Sequence, residues 1–123
     1  MIHVSIEDII QFVLKYRRGK AFKDYTEEQI RNDIVRSVDT MSIIVDTYEQ
    51  NNILGVATGY ALWSKRVIHV KNILTISNSS LRRIFKRFME IYPGWKLQGE
   101  RNSKIKHYNH IEKFYGRLCN QNN

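Results

Sequence analysis

The hydrophobic residues of this chain recur with two different periods, and the change of period limits the folds that it can adopt. Up to about residue 40, apolar residues recur every three or four positions, which is the spacing of helices that bury one face. From "MSIIVDTYE" at residues 41–49 onward, β-branched residues alternate with polar ones, which is typical of strands. The sequence therefore predicts an α/β (α+β) chain whose sheet follows two helices.

Each of these two helices begins with a sequence typical of a capping box. Ser5 is followed three residues later by Asp8, and Thr26 by Gln29, so side chains can satisfy the free backbone groups at each helix start. In the second helix we expect one buried face, made of Ile30, Ile34, Val35 and Val38.

Three strands are predicted next, at residues 41–49, 53–64 and 67–76, joined as an antiparallel meander. Polar turn residues separate the first two strands, and Lys65-Arg66 connects the second to the third. Gly55 and Gly59 lie inside the second strand, where glycine marks a bulge or a close approach to a ligand.

An amphipathic helix follows in "SNSSLRRIFKRFMEIYPGW", residues 77–95, and Pro93 ends it. We expect Leu81, Phe85 and Phe88 to be buried, and Arg83 and Lys86 to be exposed.

A fourth strand is predicted at residues 94–101 and a last helix at 110–118, with strand and loop both open for 104–109. A strand, a helix and a further strand form a β-α-β crossover, which pairs the two strands in parallel. We expect that pair to separate at Ile76 and Trp95. The sheet would then be mixed, with helices on both faces, in one domain over residues 1–119 followed by a frayed tail at 120–123.

The charge of the chain is concentrated in its second half. Residues 1–64 carry a net charge of −2 and residues 65–123 carry +10, which together give +8. Such asymmetry indicates an anionic partner: nucleic acid, an acidic protein or the phosphates of a cofactor. Cys119 is the single cysteine and cannot form an internal disulfide, so we expect a cytoplasmic protein. No apolar run has the length of a membrane span, so we expect no membrane-spanning segment.

The order of helix, helix, three strands, helix, strand and helix resembles the GNAT fold of N-acetyltransferases over essentially the whole chain. The segment "NHIEKFYGRL" is similar to the family's helix of form N-x-x-A-x-x-F/L-Y-x-x-x-G-F, with Asn109, Phe114 and Tyr115 in the matching places. The spacing is one residue short, and the closing Gly-Phe is absent. The resemblance implies transfer of an acyl group from a thioester donor, such as acyl-CoA, to an amine. It implies Tyr115, or else Tyr108, as the acid that protonates the leaving thiolate.

The donor site implied by the resemblance lies at the start of the amphipathic helix. In the family, a loop of form Q/R-x-x-G-x-G/A and the helix N-terminus hold the pyrophosphate of acetyl-CoA. Here the loop is "SNSS", without glycine; its serines could bind a phosphate, or Ser77 or Asn78 could simply cap the helix. The donor-binding candidates are Leu74, Thr75, Ile76, Ser77, Asn78, Ser79 and Ser80.

The candidate general base is His69 or Glu100. His69 lies on a predicted strand, where a hydrogen-bonded structural histidine is the alternative interpretation. No metal site is predicted, because His107 and His110 lack further ligands at a suitable spacing.

The second hypothesis is a catalytically degenerate protein whose basic half binds nucleic acid or an acidic protein. The chain resembles small GNAT-like proteins of bacteriophages, some of them virion components, which would place it in the host cytoplasm or the virion. Aromatic residues interleaved with cations, Trp63 and Trp95 among them, could stack on bases or belong to the core. The candidate contacts are Arg82, Arg83, Lys86, Arg87, Arg101, Lys104 and Lys106.

Overall fold

Both predicted capping boxes form in the computed structural model, which describes residues 4–17, 21–40, 42–49, 52–101 and 104–120. The Asp8 N–H donates to Ser5 Oγ over 3.0 Å at the start of α1, Ile6–Tyr16. The Gln29 N–H donates to Thr26 Oγ1 over 3.1 Å at the start of α2, Glu27–Asp39. In both helices the side chain of Asp8 or Gln29 in turn accepts from the N–H of the capping residue. This confirms the two predicted helix starts.

The sheet has five strands among the described residues, in the order β1-β2-β3-β4-β5. Their bounds are Ile44–Tyr48 for β1, Asn52–Leu62 for β2, Val67–Thr75 for β3, Lys96–Arg101 for β4 and Lys104–His110 for β5. β1, β2 and β3 form the predicted antiparallel meander, and β3 pairs with β4 in parallel. The mixed sheet is therefore confirmed.

The place where β3 and β4 separate differs from the prediction. The parallel register runs from Val67 opposite Lys96 to Val70 opposite Gly99, and the described residues show no pairing beyond that point. In a parallel pair Ile76 and Trp95 lie at opposite ends, because Ile76 follows the end of β3 while Trp95 precedes the start of β4. Trp95 thus lies at the paired end, and the strands separate toward their carboxyl ends.

Helices cover both faces of the sheet. The amphipathic helix α3, Asn78–Ile91, and the last helix α4, Ile111–Asn120, pack on one face, around a core that includes Ile68, Ile84 and Phe88. α1 and α2 pack on the other face, around Ile10, Ile34 and Val56 among others.

The predicted orientation of α3 is confirmed. Phe85 and Phe88 are buried, and Leu81 is half-buried against the same core. Arg83 and Lys86 are exposed.

The predicted buried face of α2 is partly wrong. Ile30 and Ile34 are buried, but Val35 and Val38 are exposed by 36% and 38%. The buried stripe instead includes Asp33 and Ser37, which fall at the i+3 and i+7 positions from Ile30. These polar residues face inward because the sheet offers them hydrogen-bonding partners.

Both glycines of β2 occupy positions with no room for a side chain. Thr58 pairs with Asn72 and Gly59 with Val70, which leaves Lys71 as the extra residue of a β-bulge. A Cβ atom on Gly59 would clash with the His69 carbonyl oxygen, and one on Gly55 would clash with the Ser80 hydroxyl. The bulge, one of the two predicted alternatives, is therefore confirmed at Gly59.

Residues 104–109, left open between strand and loop, belong to β5, which pairs antiparallel with β4. β5 therefore comes between β4 and α4 along the chain. Asn120 ends α4, and residues 121–123 of the predicted tail lie outside the described residues. None of the helices in the described part of the chain has the length and apolar character that a membrane crossing requires.

Candidate functional site

The carboxyl end of β3 leads directly into the first turn of α3, where the donor site is expected. Ser77 is the helix cap: its hydroxyl accepts from the Ser80 N–H over 3.1 Å. The N–H groups of Asn78 and Ser79 lie in the first turn, where the helix itself provides no acceptor. Helix starts of this kind bind anions, because these N–H groups and the helix dipole both favour negative charge.

The hydroxyls of Ser79 and Ser80 point to different surroundings. Ser79 is exposed, and its Oγ accepts from the Arg82 guanidinium over 3.2 Å. The Ser80 side chain is fully buried beside Gly55, and its Oγ has no hydrogen bond among the described residues. Of these two hydroxyls, only that of Ser79 is therefore open to a ligand.

The other donor candidates, Leu74, Thr75 and Ile76, lie at the end of β3 and just after it. Leu74 is buried in the α1/α2 core, and Thr75 is half-buried on the opposite face. Ile76 is 47% exposed, and its N–H donates to the Leu54 carbonyl over 3.0 Å. Backbone and side chains at this edge thus offer both apolar surface and polar groups.

Tyr115, the candidate general acid, lies on α4. Its side chain is half-buried against the core under α3. A hydrogen bond with Cys119, followed by burial, raises the pKa of the Tyr115 hydroxyl, and the nearby Arg82 guanidinium opposes that rise. Arg82 therefore lies near Tyr115 and also donates to Ser79. Cys119, which the sequence left without a role, is part of this group.

His69 lies elsewhere, on the opposite face of β3. It is fully buried, stacks on Tyr60 with a centroid distance of 4.6 Å, and places Nδ1 2.6 Å from Gln98 Nε2. Since an amide NH₂ only donates, Nδ1 accepts this bond. This placement matches the alternative of a hydrogen-bonded structural histidine. The side chains of Tyr108 and Glu100, the other catalytic candidates, lie outside the described residues.

Two of the four α3 cations are held by carboxylates. Arg83 donates from Nε to both Asp46 oxygens at 3.0 and 3.1 Å, and its Nη2 lies 2.9 Å from Asp46 Oδ2. Arg87 pairs with Glu90 at 3.3 Å. A groove of about 430 Å³ runs beside these arginines, between α3 and the edge strand β1. The remaining partner candidates, Arg101, Lys104 and Lys106, have side chains outside the described residues.

A buried polar network that the sequence analysis missed surrounds Asp33. Thr58 Oγ1 donates to Asp33 Oδ2 over 2.7 Å, and Asn72 Nδ2 donates to the same oxygen over 3.2 Å. Lys71 Nζ lies 3.6 Å from Asp33 Oδ1. The bulge at Lys71 explains this arrangement, because it turns Lys71 and Asn72 to the same face of β3.

The network forms the floor of a polar pocket of about 350 Å³ between α2 and β3. Lys71 directly follows Val70, so the pocket lies beside the point where β3 separates from β4. A sequence signal was present: Asp33 shares the helical stripe of Ile30 and Ile34, where a charge requires a partner. The pocket is lined by Tyr25, Gln29, Asn32, Asp33, Arg36 and Lys71.

No family model, curated protein or solved structure matches this chain. Within the described ranges, no three histidine, cysteine or acidic side chains converge as a metal site would require.

Proposed function

We propose that this protein is an N-acyltransferase of GNAT type that passes an acyl group from a thioester donor, such as acyl-CoA, to an amine. The observation that carries the proposal is the separation of the parallel strands β3 and β4 beyond Val70 and Gly99. An extended donor arm requires such an opening. Where β3 and β4 no longer pair, their backbone groups are available to hydrogen-bond to the arm.

The phosphate groups of the donor would bind at the start of α3. The first-turn N–H groups of Asn78 and Ser79, together with the Arg82 guanidinium, form an anion site there. The arginine adds a charge-assisted contact at a loop that contains no glycine. Ser77 supports this site by capping the helix, while Ser80 supports the packing against β2.

Tyr115 would act as the general acid. In the reaction, the acceptor nitrogen bonds to the thioester carbonyl carbon, and the carbon–sulfur bond breaks. The Tyr115 hydroxyl then gives its proton to the leaving thiolate, the amine loses a proton to solvent, and the tyrosinate takes a proton back from solvent. The Tyr115 hydroxyl carries this proton at neutral pH, since its pKa is raised further above an ordinary value of 10.0.

The pocket above Asp33 would hold the acceptor. Arg36 and Lys71 line it, so an acceptor amine that also carries a carboxylate or phosphate would find a cation there. Asp33 fixes Lys71 from below, and Asn72 and Thr58 fix Asp33.

Two measurements test the proposal. The first is the thermal shift of the protein with acetyl-CoA and with a long-chain acyl-CoA, for which a ligand at a hundred times its dissociation constant adds about 2.7 kcal/mol. The second is thiol release from the same thioesters with a panel of small amines. Arg82→Gln should weaken the binding of acetyl-CoA more than the binding of acetyl-pantetheine, which lacks the diphosphate. Lys86→Gln, an exposed α3 cation farther from the turn, serves as the control. If no thioester stabilises the protein and no thioester releases thiol, the acyltransferase proposal is refuted.

A second candidate function is binding of an anionic partner by the basic half. The specific observation is that Lys65, Arg66, Lys86 and Lys96 are exposed and have no carboxylate within ion-pair distance in the described part of the chain. Unpaired cations of this kind attract a polyanion over the range of the Debye length.

A further inference from the structure

We propose that the turn between β2 and β3 is a binding site for single-stranded nucleic acid, with Trp63 as the platform on which a base stacks. This inference rests on the second candidate function, an anionic partner for the basic half, and is independent of acyl transfer. The turn lies at the end of β3 that is farthest from the start of α3.

Trp63 is an exposed aromatic ring in a fixed position. It lies in a short 3₁₀ turn, Trp63–Lys65, and at 68% it is the most exposed large hydrophobic residue in the described ranges. Its ring packs edge-on against Trp95, at a centroid distance of 4.9 Å, and against Tyr92 at 5.9 Å. Both of these residues are buried in the core. The core therefore fixes the indole while leaving most of its surface in solvent.

The turn that follows Trp63 is also fixed, and it is basic. The Arg66 N–H donates to the Trp63 carbonyl over 3.3 Å, in a left-handed conformation with φ of 52°. The Arg66 carbonyl accepts from the Lys96 N–H over 3.0 Å, which joins the turn to β4. Lys65, Arg66 and Lys96 are exposed, so the turn that carries Trp63 and the strand joined to it present three cations on a backbone that is already ordered.

The acidic group described near this turn is already engaged. Glu112 Oε1 accepts from the Gly94 N–H over 2.9 Å, in the loop that also carries Trp95. Two of the α3 arginines are likewise paired with carboxylates. The Trp63 turn is therefore the better surface for a polyanion.

A solvent-exposed indole beside free cations is the arrangement that binds single strands, in which phosphates contact the cations and an unstacked base covers the ring. Duplex bases are stacked on one another and cannot cover an indole in this way. A flexible single strand of DNA or RNA is thus the partner that uses both features.

The chain allows a site-resolved test by fluorescence, because it has two tryptophans and Trp95 is buried. Single-stranded oligo(dT) and oligo(U) are titrated into the protein at about 50 mM salt, and tryptophan emission is recorded together with the anisotropy of a labelled oligomer. Quenching is expected in the wild type and should vanish in Trp63→Phe. Trp63→Ala should weaken binding roughly five- to 150-fold. Tyr48→Ala, which removes a 60% exposed aromatic at the other end of the sheet, should bind as the wild type does.

The charge contribution is measured by salt titration. Lys65→Gln and Lys96→Gln should each reduce the slope of log K against log salt by about 0.7. Lys23→Gln, which changes an exposed lysine in the segment before α2, should leave the slope unchanged. An abasic oligomer of equal length should bind weakly and cause no quenching.

Different failures point to different errors. Binding that persists in Trp63→Ala, or an abasic oligomer that binds equally well, would overturn the stacking site but leave an anionic partner for the basic half. No binding of any oligomer would overturn the nucleic-acid site. A change in Trp63 emission with vesicles of anionic lipid, but not with oligomers, would overturn it in favour of a membrane surface.

Discussion

Asn72 and Asp33 are joined by a hydrogen bond of 3.2 Å that links the centre of β3 to α2. The same Asn72 amide accepts from the Phe22 N–H over 2.9 Å and donates to Tyr25 Oη over 3.3 Å. Asn72 therefore ties the segment before α2, the helix itself and the sheet to a single buried side chain.

Asn72→Ala should lower the free energy of unfolding by about 2–4 kcal/mol, because each buried group left without a partner costs about 1–3 kcal/mol. The Phe22 N–H loses its acceptor, and Asp33 Oδ2 loses one of its two donors but keeps Thr58 Oγ1. Urea denaturation at pH 7 measures the loss. Asn32→Ala, an exposed asparagine on α2, is the control and should change stability by less than about 0.5 kcal/mol. Equal effects of the two substitutions would mean that the network contributes nothing.

The two glycine positions Gly59 and Gly116 should respond to alanine with opposite signs. Gly59→Ala should destabilise the protein by about 3 kcal/mol, since its Cβ would collide with the backbone carbonyl of His69, which cannot move without breaking the bulge. Gly116→Ala should stabilise it by about 0.5–1 kcal/mol, since it lies in α4 with no atom near its Cβ. Thermal unfolding of both variants measures these effects, and a stable Gly59→Ala protein would contradict the bulge.

Much of the fold follows from local signals in the sequence. Capping residues such as Ser5 and Thr26 act within four residues of their partners, and the alternation of the strands is equally local. The orientation of α3 also follows from its own stripe of apolar residues. These elements were predicted because the determining contacts lie close together in the chain.

The Asp33 network depends on contacts between distant segments, which explains why it was missed. Asp33 and Asn72 are 39 residues apart in sequence. The bulge that brings Lys71 to the same carboxylate is a property of the register between β2 and β3. The separation of β3 from β4 depends likewise on where their pairing stops, which no single segment of the sequence specifies.

The acid sensitivity of the protein should depend on Glu112. A hydrogen bond from the Gly94 N–H lowers the pKa of this carboxylate below its ordinary value of 4.5. A lowered pKa in the folded state means that the charged form stabilises the fold. The contribution is therefore present above about pH 4.5 and is lost as the pH falls through the lower, folded value.

Glu112→Gln should cost up to about 1 kcal/mol at pH 7, since the group is exposed and screened by solvent. The difference from the wild type should shrink between about pH 5 and pH 3 in chemical unfolding experiments. Glu28→Gln is the matched control, because Glu28 also lies in the first turn of a helix, α2. If both substitutions show the same pH dependence, the helix dipole accounts for it and the Gly94 bond does not.

Tyr115→Phe tests the role of the Tyr115 hydroxyl in catalysis separately from donor binding. The substitution removes the hydroxyl but keeps the ring that packs on the core, so the melting temperature and the thermal shift with acetyl-CoA should be nearly unchanged. The rate of thiol release should fall about 10²- to 10⁴-fold, which is the usual contribution of a positioned general acid. Because the pKa of Tyr115 is raised above 10.0, wild-type activity should persist to high pH and decline only when the hydroxyl ionises. The variant should lack that alkaline decline, while Tyr48→Phe should keep it. Full activity in Tyr115→Phe would assign the proton to another group.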